Sequence, residues 1–246
     1  MRPGASRLNQ ILTEYIPNQI WLNQYMIHFG GMDFYARMTI IRLSNGSLML
    51  HSPCNIDEQV KRAIDSIGTV AHIVAPGNFH HLHMASAQKL FPEAQTHICP
   101  GVERKQPGLD FDWFLGDKAP EAWSDDIEQV LVRGTRIIWE VAFFHRPSRT
   151  LVLTDLVENI GDRTEGVSWL LKFWFKFVFR MWNKAKPAPE YRMGWKNRPA
   201  AARSLERILD WDFERVVLAH GDLIETNAKA IVRDAWDNPL RAAQRD

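Results

Sequence analysis

The most informative stretch of this sequence is Val70-Ala71-His72-Ile73-Val74-Ala75-Pro76-Gly77-Asn78-Phe79-His80-His81-Leu82-His83. Its first part, up to Ala75, predicts a buried β-strand, and the polar residues that follow include ring nitrogens able to bind a metal. Two more polar clusters lie at the ends of apolar runs, Thr154-Asp155 and His220-Gly221-Asp222. Because a strand fixes the position of its end, the residues at several strand ends can converge on one cleft. The sequence therefore predicts a functional site built from strand ends.

The composition bounds the class of protein. With 246 residues, 46% of them hydrophobic, the chain can bury a substantial core, and we interpret residues 1–246 as a single domain. Thirty basic and 29 acidic residues leave a net charge of +1, which gives no general attraction to nucleic acid. Two cysteines, Cys54 and Cys99, and no apolar run typical of a secretory signal near Met1 favour a reduced, cytoplasmic protein.

Periodicity and turn residues predict an alternation of sheet and helix. Asn45-Gly46 is a strong signal for a two-residue hairpin. Strands are expected over residues 38–43, 47–50, 70–75, 94–99, 127–132, 136–144, 150–156 and 215–219. Helices are expected over 57–67, 82–91, 200–209 and 224–236. This order predicts two sheets packed face to face with helices outside, an α+β arrangement.

Several short segments carry a resemblance to a known family. They are Leu48-Met49-Leu50-His51-Ser52-Pro53, Val74-Ala75-Pro76-Gly77-Asn78-Phe79-His80-His81, Phe91-Pro92-Glu93-Ala94, Leu151-Val152-Leu153-Thr154-Asp155-Leu156 and Val217-Leu218-Ala219-His220-Gly221. On these segments the chain resembles the metallo-β-lactamase-like superfamily, in a branch whose domain is of unknown function. The resemblance covers nearly the whole chain. It implies an αββα sandwich, with two mixed sheets between layers of helices and a metal cleft at one edge.

The resemblance also implies candidate metal ligands. Active members of the superfamily typically carry His-x-His-x-Asp-His after a strand, then a later His, a bridging Asp and a final His. Asp155 matches the bridging Asp and His220 matches the final His. No His stands where the intermediate one is expected, and Glu140 is the nearest candidate ligand there.

The histidine motif itself can be aligned in two registers. If His81 is the last His of the motif, His80 takes the Asp position and Asn78 the position of the second His. In the other register His81-Leu82-His83 preserves His-x-His, but Ala85 and Ser86 stand where Asp and His belong. Both registers leave the set of ligands for two metals incomplete. The prediction is a minimal site of His81, Asp155 and His220, which His80, His83 or Glu140 completes or supports.

Imidazoles and a carboxylate suit one or two ions of Zn²⁺ or Fe²⁺, and such an ion lowers the pKa of a bound water to about 7. We therefore predict a metal-dependent hydrolase of a small ester, lactone or related substrate, with His81 and Asp155 as catalytic residues. The alternative is a metal-free binding or scaffold protein with the same fold. No Gly-x-Ser-x-Gly elbow and no glycine-rich nucleotide motif occurs in the sequence.

Residues 166–190 are interpreted as an inserted aromatic and basic helix, over 168–182, followed by a stiff linker at 184–189. Lys172, Lys176 and Arg180 recur every fourth residue along one stripe of this helix, and its other faces are apolar. The helix is too short and too charged to span a membrane. Three interpretations stay open: a lid over the cleft, a contact in a homodimer, or a peripheral membrane contact.

Overall fold

The computed structural model describes residues 11–243, and two mixed β-sheets form the centre of this part of the chain. The first sheet contains, in spatial order, β1 (Thr13–Ile16), β2 (Ile20–Phe29), β3 (Met32–Arg42), β4 (Leu48–His51), β5 (Val70–Ala75), β6 (Gln95–Ile98) and β7 (Trp113–Phe114). The second sheet contains β8 (Ile127–Leu131), β9 (Val141–His145), β10 (Thr150–Leu153) and β11 (Arg215–Leu218), in the spatial order β11-β10-β9-β8.

The helices lie between and after these strands. They are α1 (Glu58–Ile67), α2 (Met84–Leu90), α3 (Val102–Lys105), α4 (Trp169–Phe173), a π-helical turn (Trp174–Val178), α5 (Pro189–Gly194), α6 (Arg198–Asp210), α7 (Ala228–Ala235) and α8 (Asp237–Ala243). Asp57 caps α1 by accepting hydrogen bonds from the N–H groups of Gln59 and Val60, and Gly68 ends it, so that helix begins and ends where its sequence signals predicted.

Parallel and antiparallel pairing occur in both sheets. Strands β1 to β4 pair antiparallel, whereas β4 to β7 pair parallel. In the second sheet β11 runs parallel to β10, and the other two pairs are antiparallel. The hairpin predicted at Asn45-Gly46 joins β3 to β4, with Gly46 in the left-handed region at φ 86°. The predicted α+β class with two mixed sheets is confirmed.

Alternate residues of the second sheet pack into two different apolar layers. Phe143 and Val152 belong to a core cluster with Ile40 and Leu50 of the first sheet, which shows that the two sheets face each other. Their neighbours Phe144, Leu151 and Leu153 instead join a cluster with Leu205 and Ile208 of α6. Because β9 and β10 are buried on both faces, their sequences are almost entirely apolar. The αββα sandwich follows from this double burial.

Some predicted boundaries shift, for local reasons. Strand β9 begins at Val141 and not at Arg136, because residues 136 and 139 hydrogen-bond outside the sheet, to Gly194 and Asn78. The last predicted helix begins at Ala228, since Ile224 pairs with Val216 and Asn227 adopts a positive φ of 52°. A separate helix, α8, then follows from Asp237.

The aromatic segment 168–182 is not one regular helix. After α4 the chain widens into the π-helical turn and leaves the helix at Arg180, whose φ is 56°. Arg180 therefore does not continue the helical stripe of Lys172 and Lys176. Leu171 and Phe175 are buried against Met32 and Phe34 of β3. No helix in residues 11–243 is long and apolar enough to cross a membrane. The single-domain interpretation and the status of 166–190 as an insertion stay predictions.

Candidate metal site

Three strand ends meet at one edge of the sandwich. His80 follows β5 of the first sheet, while Asp155 and His220 follow β10 and β11, which are parallel neighbours in the second. One ligand atom of each residue lies within 4.8 Å of the other two. The Asp155 Oδ1 atom is 3.3 Å from His80 Nε2 and 3.6 Å from His220 Nε2, and all three side chains are buried. The tertiary structure therefore places two imidazoles around one carboxylate.

Each imidazole of this cluster is oriented by a partner at its other nitrogen. His80 Nδ1 lies 2.8 Å from Ser52 Oγ, in the loop after β4. His220 Nδ1 lies 3.1 Å from the carbonyl oxygen of Tyr35. A carbonyl only accepts, so Nδ1 of His220 carries the hydrogen and Nε2 keeps its lone pair. Metal-binding histidines are commonly held in this way, with the free nitrogen aimed at the ion.

Glu140 supports the loop that carries Asp155. Its buried carboxylate accepts hydrogen bonds from the backbone N–H groups of Thr154 at 2.6 Å, Asp155 at 2.8 Å and Leu156 at 2.9 Å. Both carboxylate oxygens are thus directed at the backbone and not at the two imidazoles. The superfamily resemblance made Glu140 the nearest candidate for the intermediate metal ligand. In this structure Glu140 instead holds the backbone at the end of strand β10.

The structure brings together only part of the predicted set of ligands. His81 lines the same cavity as the cluster but is not a member of it, and its buried Nδ1 has no hydrogen-bond partner among residues 11–243. The ring of His83 packs edge-on against Tyr25, at 5.8 Å between centroids. The group that converges consists of His80, Asp155 and His220, and it does not include His81, His83 or Glu140. Metal binding by any of the six stays a prediction.

Ser52 and Tyr35 were missed as site residues by sequence reasoning. Ser52 directly follows strand β4, so the strand-end rule that selected Asp155 would also have selected it. Tyr35 contributes a backbone oxygen from the middle of β3, and no side-chain pattern signals such a contribution.

The charges of His80 and Asp155 stabilise each other. Burial acts to lower the pKa of His80, but the adjacent Asp155 carboxylate and Glu140 outweigh burial and raise it. Burial would raise the pKa of Asp155, yet His80 and His220 hold it below its ordinary value. Burial and the nearby His80 lower the pKa of His220 to about 4. Burial and Asp155 raise the pKa of Glu140 to about 7. Near neutral pH His220 is therefore a neutral imidazole, the form that binds metals.

The cluster lines a cavity of about 370 Å³. The cavity wall is mostly apolar and comes from β2, β3, the aromatic segment and α5; it includes Tyr25, Phe29, Phe34, Leu171, Phe175, Phe179 and Met193. Lys105 and Glu190 are charged groups on the same wall. A cavity of this size and lining suits a small molecule with an apolar part.

The donor set fits a single metal ion. Two imidazole nitrogens and one carboxylate form the ligand set of many zinc and non-haem iron sites, which keep further coordination positions open. The orientation of both Nδ1 atoms away from Asp155 agrees with that use. Within residues 11–243, no second group of three such ligands lies close enough together to hold another ion.

Comparison with known proteins supports the fold. Residues 17–197 match a family described as Domain of unknown function (DUF4336). The DIM-1 metallo-β-lactamase exposed to ceftazidime aligns with a TM-score of 0.64 and 12% identity, over 94% of this chain and 96% of that chain. A metallo-β-lactamase from Pontibacter korlensis aligns with a TM-score of 0.59 and 14% identity, over 96% of this chain and 99% of that chain.

A third similar structure is FIM-1 from Pseudomonas aeruginosa in its mono-zinc form, with a TM-score of 0.59 and 11% identity over 95% of each chain. At such low identity these likenesses show the fold alone. A comparison of the sequence with curated proteins returns no match.

Proposed function

This chain belongs to the DUF4336 family and has the metallo-β-lactamase fold, and from this premise we propose that it is a metal-dependent hydrolase with a site formed by His80, Asp155 and His220. The observation that carries the proposal is the convergence of two oriented imidazoles on one buried carboxylate, inside a cavity. The fold by itself would not suffice, because one fold hosts many functions.

The chemistry follows from the donor set. A Zn²⁺ or Fe²⁺ ion held there would act as a Lewis acid and make water nucleophilic near neutral pH. Asp155 supplies the negative charge that favours a cation, and its position is fixed by Glu140 through the backbone. Lys105, Glu158 and Glu190 are ionisable side chains on the cavity wall that could meet the polar part of a substrate.

The cavity wall limits the substrate class. Phe34, Leu171 and Phe175 form an apolar side of the cavity and offer contact to an acyl chain or a ring. We propose a small ester, lactone or related compound with an apolar substituent.

One observation favours a second candidate function. His80 and Asp155 already contact each other at 3.3 Å, a distance at which the pair can stabilise the fold without a metal. The second candidate is therefore a metal-free binding or scaffold protein, in which the cluster only holds the strand ends together.

The deciding experiment measures metal content by mass spectrometry, with protein purified without a histidine tag and then reconstituted with Zn²⁺ or Fe²⁺. We expect about one equivalent in the wild type, as for three protein ligands around one ion. His80→Ala and His220→Ala should lose the metal together with hydrolysis of aryl esters and lactones. His28→Ala is the control for metal content only, because this histidine is exposed and lies outside the cluster but lines the cavity.

His81→Ala tests the register of the motif. If the site is the observed cluster, this variant keeps its metal. Metal lost in His81→Ala but retained in His80→Ala would return the site to the set predicted from sequence. A wild type that binds neither ion would overturn the hydrolase and leave the metal-free candidate.

A further inference from the structure

The aromatic segment, residues 168–182, leaves a large apolar surface uncovered. Leu171 and Phe175 point into the protein, whereas Trp169 is 79% exposed and Phe177 is 62% exposed. Other large side chains of the segment are exposed as well: Phe173, Trp174 and Val178. Soluble proteins seldom expose a contiguous group of large aromatic side chains without a partner. The lid interpretation accounts for the buried face but not for this exposed one.

The same surface extends to the mouth of the cavity. Ser168 ties the segment to β3, since its backbone N–H donates to the carbonyl oxygen of Asp33 at 2.9 Å. A Cβ at Gly31, in the turn between β2 and β3, would lie 3.9 Å from the Leu170 side chain. Three exposed apolar side chains also line the cavity: Phe29, at the end of β2, Leu82 and Met193. The cavity therefore opens among exposed apolar side chains.

The charges of the segment are all positive. Lys172, Lys176 and Arg180 lie among the aromatic residues, and residues 168–182 contain no Asp or Glu. Lys172 is 3.8 Å from Asp162, while neither Lys176 nor Arg180 forms an ion pair with any residue in the described range 11–243. The surface thus combines aromatic side chains with three cations, of which only Lys172 has an ion-pair partner among the described residues.

A neighbouring cavity adds to this positive surface. It has a volume of about 590 Å³ and shares Phe179, Pro189 and Met193 with the cavity of the metal site. Its lining includes the cations Arg180, Lys184, Lys186 and Arg192, and the acids Asp234 and Asp237. One of these acids, Asp234, is paired with Lys186 at 3.0 Å.

We propose that the aromatic segment docks this protein on an anionic lipid surface, with Trp169 and Phe177 below the headgroups and Lys172 and Lys176 among them. Aromatic side chains beside basic ones are the features that hold a helix in the plane of such an interface. A helix needs about 20 residues to span a bilayer, and the helical part of the segment covers only residues 169–178. In this proposal it therefore lies on the membrane surface.

A second copy of the chain fits this surface less well. In a two-fold interface the segment packs against its own copy, so Lys172 and Lys176 would face a surface segment that contains no Asp or Glu to pair with them. Charged residues are also depleted at the centre of stable interfaces. The membrane contact does not depend on the metal site, and its test uses no measurement of hydrolysis.

The test is sedimentation of the full chain with vesicles of phosphatidylcholine, alone or mixed with phosphatidylglycerol. We expect at least about tenfold tighter binding to the anionic vesicles, since each basic residue near the surface adds to the attraction. The preference should weaken in high salt. Lys172→Gln with Lys176→Gln should remove most of it.

The apolar contribution is tested by Trp169→Ala with Phe177→Ala, which should weaken binding at least about tenfold. The matched control is Trp113→Ala with Phe114→Ala on β7, since these side chains are 60% and 54% exposed but lie outside the segment. Circular dichroism verifies that each variant is folded. The proposal is overturned by an absence of binding to anionic vesicles, or by an equal loss in the control variant. It is also overturned if sedimentation equilibrium shows a dimer that Trp169→Ala with Phe177→Ala dissociates.

Discussion

Replacing Ser52 by Ala should weaken metal binding without removing any metal ligand. Ser52 Oγ lies 2.8 Å from Nδ1 of His80, and Ser52 is buried. The substitution removes the group that orients the imidazole, while the Cβ atom and the backbone stay as they are. Loss of such an orienting partner typically costs 10- to 100-fold in metal affinity, which corresponds to about 1.4–2.8 kcal/mol.

The chain offers a matched control for this substitution. Ser148 Oγ lies 2.7 Å from Nδ1 of His145, and both residues are buried away from the cluster. Ser52→Ala and Ser148→Ala each remove a buried hydroxyl that forms a hydrogen bond with an imidazole. Each should therefore lower the free energy of unfolding of the metal-free protein by about 1–3 kcal/mol. Only Ser52→Ala should change the affinity for the metal.

The assay is competition for Zn²⁺ against a chelating dye, alongside urea unfolding in the presence of a strong chelator. The reasoning is refuted if Ser52→Ala binds Zn²⁺ as tightly as the wild type. It is equally refuted if Ser148→Ala loses as much affinity, because the effect would then come from general destabilisation and not from the orientation of His80.

Three further predictions concern the support of the site and the core. Glu140→Ala leaves three buried N–H groups without an acceptor and should lower the free energy of unfolding by at least about 3 kcal/mol in urea; a loss below about 1 kcal/mol would contradict the support role. Burial lowers the pKa of His97 and His145 to about 4, so they stay neutral in the folded state while the unfolded chain takes up protons below about pH 6.5. Stability should therefore fall as the pH drops from about 6.5 to 4, and His145→Gln should reduce this slope; an unchanged slope would exclude His145 as a cause. Gly221→Ala should lower the free energy of unfolding by about 3 kcal/mol or more, or prevent folding. The reason is that Gly221 has a φ of 84° and a Cβ there would lie 2.2 Å from the backbone oxygen of Asn159. A thermal midpoint equal to that of the wild type would contradict this prediction.

The local elements could be read from the sequence because their signals are local. The cap at Asp57, the stop at Gly68 and the Asn45-Gly46 turn each act through hydrogen bonds or backbone preferences within a few residues. Apolar runs such as 151–153 indicate strands buried on both faces. Asp155 and His220 were found from their positions after such strands.

The choice among His80, His81 and His83 could not be made from sequence. The three lie on one loop, and the direction of each ring depends on how that loop is held. Asn78 pairs with Trp139 through two hydrogen bonds, one in each direction, both of 3.0 Å. A Cβ at Gly77 would approach the Trp139 oxygen to 3.0 Å, so only a residue without a side chain fits easily there. These contacts join segments that are distant along the chain.

The sequence by itself determined the order of β3 to β6 and β8 to β11 with helices α1, α2, α6 and α7, the packing of two sheets between helices, and the strand ends at which polar residues gather. Only the tertiary structure decided that His80 meets Asp155, that Glu140 binds backbone N–H groups, and that Ser52 orients His80. The physical reason is the distance along the chain between the residues that meet. Backbone hydrogen bonds and capping act over a few residues, whereas His80 and Asp155 are 75 residues apart and meet only when both sheets have packed.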